Sequence, residues 1–267
     1  MPENRPIDLT YVEHGPRDAP AVVLLHGFPL HGSMWDDQVD ALAARFRTIV
    51  PDLRGHGRTE APPGPYTMTD HVADLSRLLD RLETDRAALV GLSMGGYVTM
   101  NFLAAHPERA WAAALVDTRA EGDTEQTKAA REAQAREVAA AGMAPFVEAA
   151  IPRMFAPKTI AERPELVERY RGIVDPARPP AVVAALQGLA LRPDVTPPLR
   201  SVRCPTLVVV GSEDVVTPPS DARHIAEAIP DAQLEIIEGA GHLSNMEAPD
   251  QFNRVLLNFL VRASERA

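Results

Sequence analysis

A chain of 267 residues, 45% of them apolar, can bury a sizeable core as one large domain or one domain with an insertion. Its net charge of −10 argues against a nucleic-acid footprint and disfavours polyanionic substrates, and its single cysteine, Cys204, excludes an internal disulfide and reads as structural just before a proline and an apolar run. Met1 to Tyr11 has no apolar leader core and no stretch approaches the roughly 18 apolar residues of a membrane span, so a cytoplasmic protein with no membrane partner is expected.

In chain order, Ile7 to Val12 alternates as a half-exposed edge strand does, and Ala21 to Leu25 is a continuous apolar run ending at His26-Gly27-Phe28-Pro29. Trp35 to Phe46 carries Val39, Leu42, Ala43 and Phe46 at helical spacing, and Thr48 to Leu53 reads as the next strand, closed by Asp52-Leu53-Arg54-Gly55-His56-Gly57. A helix over Asp70 to Leu82 places Val72, Leu75, Leu78, Leu79 and Leu82 on one face, with Thr67 and Asp70 suited to a capping box. Ala87 to Val90 is a strand, Tyr97 to Ala105 a helix bounded by Pro107, and Trp111 to Val116 a strand that stops at Asp117.

From Arg119 to about Val195 no strand pattern occurs. Glu125 to Ala141 is a charged helix, and Phe146 to Phe155 and Val182 to Leu191 are apolar helical stretches among prolines, which marks a helical insertion. Strands return at Thr206 to Val210 and Leu234 to Ile237, with a helix between them from Pro219 to Ala228 and a last amphipathic helix through Phe252, Val255, Leu256, Phe259 and Leu260. Strands alternating with helices give an α/β fold with a mostly parallel sheet covered on both faces, whose ligands bind beyond the carboxyl ends of the strands.

One turn lies between a strand and a helix with a serine at its apex: Gly91-Leu92-Ser93-Met94-Gly95-Gly96. Gly-x-Ser-x-Gly fits a nucleophile on a tight, strained turn that tolerates only small neighbours two residues to either side. A phosphate-binding loop would need Lys and Ser or Thr after its second glycine, and Tyr97-Val98 follow instead; the dinucleotide spacing Gly-x-Gly is absent.

A serine hydroxyl needs a base within hydrogen-bond reach, and the base needs an orienting acid. His242, in Gly239-Ala240-Gly241-His242 after the last strand, is the best-placed base. Asp214, in Gly211-Ser212-Glu213-Asp214, is the favoured acid because the order Ser, acid, His suits this elbow architecture; Asp117 is its rival, since it also ends a strand. For the oxyanion, the backbone N–H of Met94 lies at the start of the elbow helix and that of Phe28 in the loop after Ala21 to Leu25. His26 reads as a brace for that loop, and Arg54 and His56 as turn-stabilising residues. No His-Glu-x-x-His or paired-cysteine spacing suggests a metal.

Together, His26 to Pro29, Asp52 to Gly57, Gly91 to Gly96, Gly211 to Asp214 and Gly241-His242 with Glu247 and Pro249 resemble the α/β-hydrolase superfamily, and within it small bacterial carboxylesterases and 3-oxoadipate enol-lactonase-like hydrolases. The resemblance implies an eight-stranded core in two parts, residues 1–118 and 196–267, with the insertion 119–195 as a helical cap. It implies a cofactor-free serine hydrolase acting on a small-molecule ester or lactone, with peracid formation as a side activity suggested by Pro29 after the oxyanion residue; a non-catalytic ligand receptor on the same fold is the alternative from another class. Haloalkane dehalogenases and epoxide hydrolases place Asp where this chain has Ser93. The single glycine before Phe28 resembles the narrower oxyanion loops, which fit tertiary-alcohol esters badly. Phe146, Val147, Ile151, Met154, Phe155, Leu186 and Leu189 are candidates for an apolar pocket, foremost Phe146, Ile151, Phe155 and Leu186, and short acyl chains are expected.

Overall fold

The computed structural model describes residues 5–266, so the first four residues of the Met1 to Tyr11 segment lie outside the described residues. Its strands are β1 (Tyr11–His14), β2 (Ala21–Leu25), β3 (Arg47–Pro51), β4 (Ala87–Leu92), β5 (Ala110–Val116), β6 (Thr206–Gly211) and β7 (Gln233–Ile237). They form one sheet in the order β1-β3-β2-β4-β5-β6-β7, with β1 antiparallel to β3 and every other pair parallel.

Among the described residues the sheet therefore has seven strands, where eight were expected. The edge strand also starts later than its alternating pattern suggested, because Ile7 donates its N–H to Asp74 and Thr10 donates to the Thr59 hydroxyl. These donors are taken by side chains, so the segment meets its neighbour only at its end, where Thr10 O accepts the Asp52 N–H at 2.8 Å.

The helices are α1 (Asp36–Ala43), α2 (Met68–Arg81), α3 (Met94–Ala105), α4 (Glu125–Ala141), α5 (Met143–Met154), α6 (Pro157–Glu162), α7 (Pro164–Val174), α8 (Pro179–Ala190), α9 (Thr196–Leu199), α10 (Pro219–Ala228), α11 (Ser244–Glu247) and α12 (Pro249–Ser264). Alternate residues of one strand feed opposite layers. Val22 and Leu24 of β2 join a cluster with α1 and α12, while Val23 and Leu25 join one with α2, α3 and α10. In the first layer Trp35 and Phe252 are fully buried, with ring centroids 6.1 Å apart.

Local chemistry sets several helix starts. Thr67 and Asp70 form the expected capping box on α2, and Thr124 caps α4 by accepting from the Thr127 N–H. Pro157, Pro164 and Pro179 open α6, α7 and α8, where a missing N–H costs nothing. The insertion between β5 and β6 thus holds α6 and α7 in a stretch that pattern alone left without elements. Within it α4 packs on α8 around Ala135, Val138, Phe146, Val182 and Leu186. No described helix is long and apolar enough to cross a membrane.

Candidate active site

The parallel strands deliver reactive side chains to one edge of the sheet. His26 follows β2, Asp52 follows β3, Ser93 follows β4, Asp117 follows β5, and Asp214 and His242 lie in the loops after β6 and β7.

Ser93 sits in the left-handed region, with φ 53° and ψ −110°, between the end of β4 and the start of α3. Only glycine fits around it: a Cβ on Gly91 would stand 2.2 Å from the Gly95 carbonyl oxygen, and one on Gly95 would stand 2.1 Å from that of Leu25. The elbow is tied on both sides, since Ser93 donates its N–H to Val116 O at 2.9 Å and accepts the Thr118 hydroxyl at its own carbonyl at 2.9 Å.

His242 Nε2 lies 2.9 Å from Ser93 Oγ, and His242 Nδ1 lies 2.8 Å from Asp214 Oδ2. With the proton on Nδ1 donated to the carboxylate, Nε2 is free to accept from the serine hydroxyl. Burial alone would raise the Asp214 pKa, but the facing imidazole and the donors of Thr217 hold it below the usual carboxylate value. Burial likewise opposes charge on His242, yet Asp214 keeps its pKa above the ordinary imidazole value. Thr217, which the sequence reading did not single out, donates its N–H to Asp214 Oδ1 at 3.0 Å and its hydroxyl to Oδ2 at 2.7 Å, while Val216 N–H donates to Oδ1 at 2.7 Å. The Asp-x-x-Thr spacing, a turn that folds back on its own carboxylate, was the available signal.

Asp117, the rival acid, bonds elsewhere: Oδ1 accepts from Gly211 N–H and Oδ2 meets Ser244. Glu247 braces the histidine loop by accepting from Gly241 N–H at 2.7 Å and from Ala156 N–H, at the head of α6, at 2.9 Å. His26 donates from Nδ1 to Gly27 O and accepts the Leu53 N–H at Nε2, 2.8 Å away, and burial lowers its pKa to about 3, so it stays neutral. It braces the loop that carries Phe28. Among the described residues no group accepts the backbone N–H of Phe28 or of Met94, and both residues line the cavity that holds Ser93 and His242. Arg54 forms a fully buried ion pair with Asp74, while His56 bonds the Arg54 carbonyl and stands edge-on to Phe28. Cys204 is half-buried and lines a separate hollow with Trp111, beside the starts of β5 and β6.

The cavity over Ser93 holds about 480 Å³. Phe146 lines it, as do Met154 and Leu189, whereas Ile151, Phe155 and Leu186 do not. Phe146, Ala150 and Met154 form one row of α5, and Val147, Ile151 and Phe155 lie one residue further round, about 100° away, facing the main core. Phe155 meets Tyr170 edge-on at 5.5 Å, and Leu186 is spent in the cluster between α4 and α8. The wall is also more polar than expected: α4 presents Gln126, Arg131, Gln134 and Glu137, and Arg119 and Arg153 complete it. Arg131 is held by Asp123, and Arg119 by Asp221 and the Val216 carbonyl, but no described residue pairs with Arg153.

This fold, with a serine on its elbow and a histidine and an aspartate behind it, is the arrangement of the α/β hydrolases. Residues 20–249 match the α/β-hydrolase fold family, and the chain belongs to it and is a hydrolase of that type. The chain is 33% identical to 3-oxoadipate enol-lactonase 2 of Acinetobacter baylyi, over 94% of this chain and 92% of that one. Among solved structures it is similar to a thermophilic esterase from Thermogutta terrifontis, determined with malate bound (TM-score 0.92, 38% identity, covering 96% of this chain and 93% of that one). It is also similar to the enol-lactonase of Burkholderia xenovorans (TM-score 0.89, 32% identity, covering 95% of this chain and 96% of that one).

Proposed function

We propose that this chain is a serine hydrolase that cleaves small carboxylic esters or lactones through an acyl-enzyme on Ser93. The observation that carries the reading is the unbroken contact from Asp214 through His242 to Ser93, at 2.8 and 2.9 Å, on a strained elbow beneath a cavity. His242 Nε2 takes the serine proton as Oγ attacks the carbonyl carbon, and Asp214 steadies the resulting imidazolium. The N–H groups of Phe28 and Met94 hold the oxyanion, helped at Met94 by the N-terminus of α3. Collapse of the tetrahedral intermediate expels the alcohol, which takes the proton from His242. A water molecule then gives its proton to His242, attacks the acyl carbon and releases the acid, returning the proton to Ser93. Residues 119–195 act as a cap that closes this pocket and shapes the substrate.

A second reading, hydrolysis of an ester or lactone that carries a carboxylate, is favoured by Arg153, which faces the cavity with no counter-ion among the described residues. The enol-lactonase relatives and the malate-bound esterase support that direction. Turnover of p-nitrophenyl acetate by the wild type and by Ser93→Ala tests the primary reading. The substitution should lower kcat by about 10⁴ to 10⁶. A variant that keeps more than about a tenth of the wild-type rate would remove Ser93 as the nucleophile, since such groups act as a unit.

A further inference from the structure

Asp117 is fully buried beside the site and is unused by the mechanism above. It ends β5 with φ 43°, in the left-handed region that aspartate and asparagine tolerate better than most residues. Its carboxyl reaches two distant loops. Oδ1 accepts from Gly211 N–H at 2.9 Å, while Oδ2 accepts from Ser244 N–H at 3.1 Å and from the Ser244 hydroxyl at 2.6 Å. Gly211 ends β6 directly before the loop that carries Asp214, and Ser244 follows His242 after one residue, Leu243. These loops touch directly, since a Cβ on Gly211 would stand 2.1 Å from the Gly241 carbonyl oxygen.

We propose that Asp117 is the positioning residue that holds Asp214 and His242 in line, by gripping the acid loop and the histidine loop with one carboxyl group. The inference rests on the reading of Ser93, His242 and Asp214 as a catalytic triad. Asp214 and His242 come from separate irregular loops, and their 2.8 Å contact survives only if both loops keep one spacing. A carboxyl has the required shape: two acceptor oxygens at a fixed separation, one for each loop. A displacement of about 1 Å in such a site can cost on the order of a hundredfold in rate. Burial, together with the nearby Asp214 charge, pushes the Asp117 acid up to about 8, and the donors of Ser244 and Gly211 oppose that rise. Asp214, Asp117 and Arg119 are the titratable groups that act on His242.

The test is Asp117→Asn, which preserves volume and tolerance of the backbone but offers an acceptor to only one of the two loops, alongside Ser244→Ala and the double variant. Three readouts separate positioning from mere stability: kcat against KM, the acid limb of the pH profile of kcat/KM, and the low-field proton resonance of His242 Nδ1–H. Asp117→Asn should lower kcat about tenfold to hundredfold with KM within about twofold. Its acid limb should move to lower pH, because a loosened Asp214 contact no longer raises the imidazole pKa, and the low-field resonance should weaken or move upfield. Ser244→Ala should act in the same direction more mildly, and the double variant should be no worse than Asp117→Asn, as expected for residues in one network. An Asp117→Asn protein with a lower Tm but wild-type kcat, acid limb and resonance would overturn the proposal. Should that variant not fold, Ser244→Ala with an unmoved acid limb and resonance would overturn it equally. A wild type that turns over no ester would sink the triad reading, whereas the resonance reports the alignment independently of turnover.

Discussion

The hydroxyl of Thr217 donates to Oδ2 of Asp214 at 2.7 Å, the same oxygen that His242 Nδ1 approaches at 2.8 Å. Asp214 is thus fixed by its own turn before it meets the histidine, and the imidazole finds a carboxylate already aimed. Thr217→Val keeps the shape and removes the side-chain donor. A hydrogen bond to a charged group is worth about 1.5 to 3 kcal/mol, so kcat/KM on a small ester should fall by about tenfold to a hundredfold. Steady-state kinetics check it, and a rate within twofold of wild type would mean that the Val216 and Thr217 N–H groups suffice.

The pH dependence follows from His242. Burial would lower its pKa, but Asp214 leaves it above 6.5. A protonated imidazole cannot accept the serine proton, so kcat/KM falls as pH drops through that raised value. Stability runs the other way: the folded state binds this proton more tightly than the unfolded state does. The contribution is therefore fully present below 6.5 and is lost as pH rises through the folded value. Asp214→Asn should move the acid limb to lower pH and cost about 10² to 10⁴ in kcat. A limb that stays in place, or moves up, contradicts the assignment of the acid.

The pair Arg54 and Asp74 is fully buried, with Nε and Nη2 bonded to the two carboxylate oxygens at 2.8 and 2.7 Å. Asp74 also accepts the Ile7 N–H, so it anchors the approach to β1. Asp74→Ala leaves a buried guanidinium without its partner and should destabilise the fold by about 3 to 5 kcal/mol. Calorimetric or denaturant unfolding reads this directly, and a loss below about 1 kcal/mol would show that water or a neighbour compensates.

Arg153 offers a test of substrate charge. Monomethyl glutarate and methyl pentanoate differ in a distal carboxylate at equal acyl length, and the wild type should favour the anionic ester at low salt. Arg153→Gln should cut the ratio of the two kcat/KM values by about tenfold, and salt should erode the wild-type preference because the group is exposed. A ratio that does not change on substitution would place the anion elsewhere or remove it from the substrate.

Much of this architecture is written in local signals. The capping box of Thr67 and Asp70, the bounds of α4 and α10, and the glycines around Ser93 each follow from chemistry within a few residues. Helices α6 and α7 are hidden among prolines in the sequence, although Pro157 and Pro164 stand in the first turn, where proline is favoured. In α7, Leu166, Val167, Tyr170, Ile173 and Val174 already form a buried stripe at helical spacing. The pocket lining is hidden for a different reason. Phe146 and Ile151 are equally apolar, and only the rotation of α5 against the core decides that the first faces the cavity and the second does not. The grip of Asp117 on Gly211 and Ser244 spans most of the second half of the chain, and no local pattern announces it.

The central claim is that Ser93 carries the acyl group, and the most direct measurement is mass spectrometry of the protein quenched during turnover of p-nitrophenyl acetate. An acetyl group should appear on the peptide that contains Ser93, at one per chain at most, and vanish in Ser93→Ala. Turnover with no adduct on that peptide in any quench, or an adduct on another residue that persists in Ser93→Ala, would contradict it.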